Sequence, residues 1–130
     1  MSENFNLEII SPEKILLKAE VTEVVLPSFE GQMTILKNHI ALVTFLRPGL
    51  VEVHSKQEVA KYFVEEGTVE FKDNSLLILS SSAVNTKNLS LDLINEKIKR
   101  SEEKLNLSEI TDKEKYILSY KIQSLQEINL

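Results

Sequence analysis

Apolar and polar residues alternate along the first two-thirds of the chain. Phe5, Leu7 and Ile9 alternate with Asn6 and Glu8, which places the apolar side chains on one face of a strand. Similar short runs follow, separated by turn sequences rich in proline, glycine, asparagine and serine. These further predicted strands span residues 21–26, 33–36, 42–46, 50–53, 59–64, 69–71 and 76–79. Many short strands without intervening helices predict an antiparallel sandwich or barrel.

The spacing of the apolar positions changes near residues 84–88. From Ser90 onward the apolar residues recur every three or four positions, and charged residues fill the gaps, which is typical of an amphipathic helix. The predicted stripe consists of Leu91, Ile94, Ile98 and Leu105.

A second helix is predicted after a break at residues 106–110. Thr111 and Glu114 have the spacing of a capping box, in which a hydroxyl and a carboxylate each accept a hydrogen bond from a free backbone amide. The apolar surface of this helix consists of Ile117, Leu118, Tyr120, Ile122, Leu125 and Ile128. Two such short helices bury too little surface to be stable alone, so the pair must dock on the sandwich or on a partner.

Glycine and proline divide the chain at the same place. All three glycines and all three prolines lie at or before Gly67, and their absence afterwards permits helix. The predicted fold class is therefore α+β: an N-terminal antiparallel β-sandwich or flattened barrel over residues 1–86, followed by a C-terminal two-helix antiparallel hairpin over residues 87–130.

Composition fits one modest folded unit with a small appendage. The 130 residues are 42% hydrophobic and 27% charged, which is ordinary for a globular protein. Without cysteine there are no disulfides and no thiolate sites. The net charge of -5, with lysines scattered among carboxylates, argues against nucleic acid and anionic lipid as partners. The first residues lack a basic stretch followed by an apolar run, so we expect a cytoplasmic protein.

The two histidines are the first candidates for catalysis or metal binding. His54 lies beside a predicted hairpin tip, and we expect it to be a solvated surface residue. His39 precedes an apolar strand in a loop, where it either bonds its own loop or is presented to a ligand or partner.

Adjacent carboxylates are the next candidates. Glu65 and Glu66, and likewise Glu102 and Glu103, are neighbours whose side chains diverge in a strand or a helix, so we expect solvated charges and not acid-base pairs. Three widely spaced glycines form no phosphate-binding loop. No cofactor and no metal are predicted.

A basic run on the first helix has two interpretations. It is either an anion site or a solvent-facing surface of i,i+4 charge pairs, and the interleaved glutamates favour the second. The basic residues are Lys97, Lys99, Arg100 and Lys104. From the residues alone, an interaction module is favoured over an enzyme.

A series of motifs then identifies a family. In order, they read LEIISPE at 7–13, VVLP at 24–27, EG at 30–31, IL at 35–36, NH at 38–39, ALVT at 41–44, LRPG at 46–49 and FVEEG at 63–67. Their order and spacing resemble the epsilon subunit of rotary F-type ATP synthases. The family commonly has glycine at Thr34, and proline at Lys37 and Ala41, so the loop around His39 is expected to differ in detail.

A nucleotide motif of some family members is degenerate here. Leu91 and Asp92 match its first positions, but Asn95 replaces its arginine and Glu96 its alanine. Losing a guanidinium and gaining a carboxylate disfavours a polyphosphate. We therefore expect weak or absent ATP binding.

The resemblance implies a non-catalytic rotor subunit of the central stalk. Its sandwich would be held by the gamma subunit and the loops of the c-ring, and its helices would extend into the alpha/beta catalytic head to restrain ATP hydrolysis. The ring-facing residues implied are Phe29, Glu30, Gly31 and Gln32. The gamma-facing residues implied are Ser11, His39 and Thr44. The residues implied to meet the catalytic head are Lys97, Lys99, Arg100, Lys113, Lys115 and Lys121.

The same resemblance implies a monomer in isolation, attached peripherally to the cytoplasmic face of a bacterial inner membrane through the complex. The alternative function is a free-standing β-sandwich adaptor whose helical arm captures a partner protein. An enzyme or a small-molecule carrier is the third interpretation, and a carrier would hold its ligand in a concave apolar pocket.

Overall fold

The computed structural model describes residues 3–128, which form ten strands, a single-turn 3-10 helix and two α-helices. The strands are β1 (Phe5–Ile10), β2 (Ile15–Val21), β3 (Glu23–Ser28), β4 (Gly31–Leu36), β5 (Leu42–Leu46), β6 (Gly49–His54), β7 (Val59–Val64), β8 (Gly67–Lys72), β9 (Ser75–Leu79) and β10 (Val84–Asn85). The 3-10 helix (Thr86–Asn88) leads to α1 (Leu91–Leu105) and α2 (Asp112–Gln126). The change of architecture falls within the predicted interval of residues 84–88.

The strands form one sheet that curls into two facing halves. One half has the order β10-β7-β6-β3-β4 and the other β5-β8-β9-β1-β2. A single antiparallel pair, Ser28 with Leu46, joins β3 to β5 at the corner. This arrangement confirms the predicted sandwich.

The main core lies between the two halves. Every second residue of β1 points inward, and Phe5, Leu7 and Ile9 are almost fully buried, as their alternation predicted. Phe5 meets Phe71 edge to face, with ring centroids 5.7 Å apart. All the buried members of this core lie between Phe5 and Ile78, so the sandwich has a core of its own without the helices.

Three details of the strand prediction were wrong. The predicted strand at 21–26 is two strands, because Val21 ends β2 and the chain bends at Thr22 before β3. The rest of β2 was missed, although apolar residues at 17, 19 and 21 alternate with polar ones, because the apolar run at 15–17 hides where the alternation begins. In addition, β1 pairs with β9 in parallel, so the sheet is not wholly antiparallel.

Both helices begin at side-chain caps. The Ser90 hydroxyl accepts a hydrogen bond from the Leu93 amide and starts α1. Thr111 and Glu114 form the predicted capping box at the start of α2. Leu91 was predicted to lie on the apolar stripe of α1, but it is 61% exposed, and the buried residues of α1 are Ile94 and Ser101.

The helix pair docks on the outer face of β6 and β7. Phe63 of β7 points away from the main core and packs with Leu89, Ile94 and Leu125, and these four residues are buried in a second apolar cluster. Within this cluster Leu50 of β6 is partly buried. The expectation that the pair must dock is therefore met on the sandwich itself. Between residues 3 and 128, no helix is long and apolar enough to span a membrane.

Candidate interaction surfaces

The β3–β4 turn carries the residues predicted to face the ring. The buried Ser28 hydroxyl accepts from the Glu30 amide at 3.1 Å and donates to the Gly31 carbonyl at 2.8 Å. Gly31 has a φ of 122°, a backbone conformation that residues with a Cβ rarely adopt. The Phe29 amide also donates to the Phe45 carbonyl at 3.0 Å. The turn is thus tightly constrained, and Phe29, Glu30 and Gln32 are exposed on it.

An aromatic clasp connects this turn to α2. The Phe29 and Tyr116 rings are stacked, with centroids 5.7 Å apart and planes 16° apart. Arg47 Nη1 donates to the Tyr116 hydroxyl at 3.1 Å, and the Arg47 guanidinium lies 3.8 Å above the Tyr120 ring, a cation-π contact. Tyr116 and Tyr120 meet edge to face at 4.8 Å. We define the clasp as Phe29, Arg47, Tyr116 and Tyr120.

Two of the four clasp residues were predicted in other roles: Phe29 was expected to face the ring and Tyr120 to lie on the apolar surface of the second helix. Arg47 was noted only within a family motif, and Tyr116 was given no role. The available signal was the i,i+4 spacing of the two tyrosines, which places both rings on one side of a helix. Nothing local indicated that Arg47, 69 residues before Tyr116, would contact them.

The outer face of the β5-β8-β9 sheet exposes large apolar side chains. Val43 is 70% exposed, Phe45 is 60% exposed and Leu79 is 44% exposed. Thr44, predicted to face gamma, alternates with Val43 and Phe45 and is only 6% exposed, because its side chain points into the sandwich. Any contact at this strand is made by Val43 and Phe45 and not by the Thr44 side chain.

The other two residues predicted to face gamma lie at opposite ends of this sheet. Ser11 follows β1, and its hydroxyl accepts from the Lys14 amide and donates to the Lys14 carbonyl, so it shapes a tight turn. His39 Nδ1 donates to the Ile40 carbonyl at 2.8 Å, and the ring meets Phe71 edge-on at 5.9 Å. Of the two interpretations of His39, the structure shows the bond within its own loop.

Glu65 is engaged with both helices. Its carboxylate lies 2.6 Å from Lys121 Nζ on α2 and 4.0 Å from Lys97 Nζ on α1. The prediction that Glu65 is a solvated charge was wrong, because the docked hairpin brings two ammonium groups to it. Glu102 and Glu103 are exposed, as predicted.

Glu66 is held by the serine run that follows β9. Its carboxylate accepts from the amide of Ser81 at 2.9 Å and from the hydroxyls of Ser80, Ser81 and Ser82. Partial burial raises the pKa of Glu66, but these hydrogen bonds outweigh it and leave the pKa below its usual value. Glu66 is exposed, as predicted, and its hydrogen bonds also tie the β7–β8 turn to the end of β9.

His54 also differs from its prediction. It is half-buried at the end of β6, with Nε2 2.7 Å from Glu52 Oε1 and 3.8 Å from Glu23 Oε2. Glu52 lies on the same strand as His54, and Glu23 lies on the paired strand β3. The sequence alone does not show that β3 lies beside β6. Among the described residues, no group of three or more acidic, histidine or cysteine side chains has the geometry to hold a metal ion.

The remaining predicted residues lie on the outside of the helices. Leu91, Asp92, Asn95 and Glu96, at the degenerate nucleotide motif, are all exposed. Asp92 lies in the first turn of α1, where its negative charge interacts favourably with the helix dipole and stabilises the helix. Exposed side chains are also found at Lys99, Lys113 and Lys115.

Arg100 pairs with Glu96 at 2.6 Å across one turn of α1. This contact agrees with the interpretation of the basic run as a solvent-facing surface of i,i+4 charge pairs.

Together these surfaces define the class of protein. It is a rigid β-sandwich that has an exposed apolar sheet face and carries a two-helix arm docked on its other side. The sequence model described as the beta-sandwich domain of the ATP synthase delta/epsilon chain matches residues 4–86. The chain therefore belongs to the ATP synthase delta/epsilon chain family.

Relatives in two bacteria extend the match beyond the sandwich. The ATP synthase epsilon chain of Pelagibacter ubique (strain HTCC1062) is 48% identical over 130 residues, covering 99% of this chain and 100% of the relative. The ATP synthase epsilon chain of Rhizobium johnstonii is 36% identical over 111 residues, covering 85% and 82%.

Two solved structures share the fold at low identity. A chain in the mitochondrial ATP synthase of Euglena gracilis (OSCP/F1/c-ring, rotational state 1) matches with a TM-score of 0.81 at 18% identity, covering 97% of this chain and 81% of that chain. A chain in the central stalk and c-ring of the Tetrahymena thermophila mitochondrial enzyme matches with a TM-score of 0.66 at 17% identity, covering 94% and 93%.

Proposed function

We propose that this chain is a non-catalytic central-stalk subunit of an F-type ATP synthase, which couples rotation of the c-ring to ATP synthesis in the catalytic head. The observation that carries the proposal is the 48% identity to an ATP synthase epsilon chain over 99% of this chain. A small, stiff sandwich with its own core fits such a role, because transmitting torque needs a body that does not deform under load.

The gamma subunit is the proposed partner of the apolar sheet face. Val43, Phe45 and Leu79 expose enough apolar surface to favour burial against another protein. Ser11 and His39 lie at the two ends of this face and fix its turns, so we assign them to its rim. Thr44 supports the face from inside the sandwich.

The c-ring is the proposed partner of the β3–β4 turn. Phe29, Glu30, Gly31 and Gln32 form a constrained tip, and a rigid turn loses little conformational entropy when it binds a polar loop. Through these two contacts the chain would be attached peripherally to the cytoplasmic face of a bacterial inner membrane.

The helix pair is the proposed regulatory element. It is docked here on β6 and β7, and in a second position it would reach the alpha/beta catalytic head and restrain hydrolysis. The exposed cations Lys99, Lys113 and Lys115 are available to acidic surfaces in either position. Lys97, Lys121 and Arg100 would first have to leave Glu65 and Glu96.

The test is reconstitution with an ATP synthase from which the epsilon chain has been removed. The full chain should bind with one copy per complex and lower ATP hydrolysis, and the chain ending at residue 86 should bind without lowering it. Phe45→Glu should abolish binding because it places a charge on the apolar face. Val59→Glu, at an exposed apolar residue on β7 of the other half of the sandwich, is the matched control and should bind normally. If the full chain does not bind the depleted synthase at all, the alternative function, a free-standing adaptor, is better supported than the rotor subunit.

A further inference from the structure

Three residues of α2 face the β3–β4 turn. Tyr116 stacks on Phe29, Lys113 lines an open groove together with Phe29 and Glu30, and Tyr120 lines a cleft together with Gln32. The spacing of residues 113, 116 and 120 is i, i+3 and i+7, which places them on one side of the helix. The docked helix therefore lies beside the turn along two of its own turns.

This juxtaposition leads us to propose that the c-ring does not bind the turn alone. The binding surface is a composite of the turn and the side of α2 formed by Lys113, Tyr116 and Tyr120, and it is complete only while the hairpin is docked. The inference rests on the ring contact proposed above and adds to it a regulation: ring binding and hairpin docking stabilise each other.

The sign of the coupling follows from the geometry of the stack. Tyr116 stacks on one side of the Phe29 ring, and residue Phe29 is still 40% exposed. A partner loop at the tip can thus contact Phe29 without displacing Tyr116. Because the stack restricts the rotamers of Phe29 in advance, the Phe29 side chain loses less conformational freedom on binding the ring when α2 is docked. Coupling free energies are reciprocal, so a bound ring must favour the docked hairpin by the same factor.

Charge supports the same arrangement. Glu30 and Lys113 both line the open groove and present opposite charges to it. The groove continues to Glu66 and to Val43 and Phe45 of the apolar sheet face. A polar loop with both hydrogen-bond donors and acceptors fits the end of the groove at which Glu30 and Lys113 are both present. When α2 leaves, the groove keeps its carboxylates and loses its cation, and the polar loop loses one of its two partners.

The experiment compares two complexes lacking their epsilon chain: a complete synthase with its c-ring and a soluble catalytic head with gamma but no ring. Tyr116→Leu should weaken binding to the ring-containing complex by about 3- to 10-fold, the range expected for losing an aromatic stack. It should leave binding to the ring-free complex unchanged. Lys115→Gln, at an exposed neighbour on α2, is the matched control and should bind both complexes normally.

A second variant separates the coupling from a general effect on folding. In a Phe29→Leu background, Tyr116→Leu should add little, because its partner in the stack is already gone. Amide hydrogen exchange of residues 112–126 in the full chain should also slow when the ring is present. Equal affinity of wild type and Tyr116→Leu for the ring-containing complex would overturn the proposed coupling. It would not contradict the proposed contact between the β3–β4 turn and the ring. Equal affinity of wild type for both complexes would instead refute the ring contact itself.

Discussion

Leu125→Ala tests whether the hairpin and the sandwich are separate cooperative units. Leu125 is 1% exposed and packs with Phe63, Leu89 and Ile94 at the centre of the docking cluster. Truncating a fully buried leucine to alanine costs about 2–5 kcal/mol. If that cost falls entirely on docking, the ratio of docked to undocked hairpin falls by roughly 30-fold or more.

The sandwich should be unaffected by this change. Its core residues lie between Phe5 and Ile78, and Leu125 is not among them. The released hairpin should lose helix, because two 15-residue helices have little stability without tertiary contacts. We therefore expect a loss of helical signal with little change in the melting of the sandwich.

Native-state hydrogen exchange is the assay, because it reports each region separately. Protection should fall in α1 and α2 and persist in β8 and β9. Leu107→Ala, at a residue 61% exposed in the connection between the helices, is the control and should leave both regions unchanged. An equal fall of protection in the helices and in β8 and β9 would show one cooperative unit and refute the reasoning.

Three further changes probe single contacts. Glu65→Gln removes the pair with Lys121 and should weaken hairpin docking by about 1 kcal/mol or less, with a difference from wild type that shrinks in high salt, measured by hydrogen exchange of α2. Glu66 has a pKa below its usual value when folded, so its stabilisation is present above the unfolded pKa of about 4.3 and is lost as pH falls through the folded pKa. Glu66→Gln should accordingly flatten the acid side of a stability-pH curve, and an unchanged acid limb would contradict this. Gly67→Ala places a Cβ 2.7 Å from the Leu79 carbonyl oxygen, and this should cost about 1–3 kcal/mol. We expect the melting temperature to fall by roughly 3–10 °C, and an unchanged melt would show that the strand can shift.

Local periodicity was enough to predict most of the fold. The alternation at Phe5, Leu7 and Ile9 and the capping box at Thr111 are local signals, and the structure confirms both. β2 was missed even though Leu17, Ala19 and Val21 alternate with polar residues, because three consecutive apolar residues at 15–17 obscure the start of the alternation. The parallel pairing of β1 with β9 depends on chain topology, which no window of residues encodes.

The contacts of the charged residues were predicted less well, for the same physical reason. Glu65 becomes an ion-pair centre only after the hairpin brings Lys121 to it from 56 positions away along the chain. Glu66 finds its donors on the strand end that follows β9, and His54 finds Glu23 across a strand pair. Sequence spacing reports on neighbours within one element, whereas these partners come from different elements.

The alternation along β7 separates hairpin docking from the folding of the main core. Tyr62 and Val64 point into the main core, and Phe63 between them points out to the helices. If the hairpin leaves, β7 keeps the two inward side chains and its pairing with β6, so only the outward residue loses its contacts. Exposing Phe63 and the few residues around it costs far less than opening the main core. A partner that took the hairpin from this position would therefore compete with the docking cluster, the clasp and the Glu65 ion pairs, and would have to bind the released hairpin more tightly than these contacts hold it.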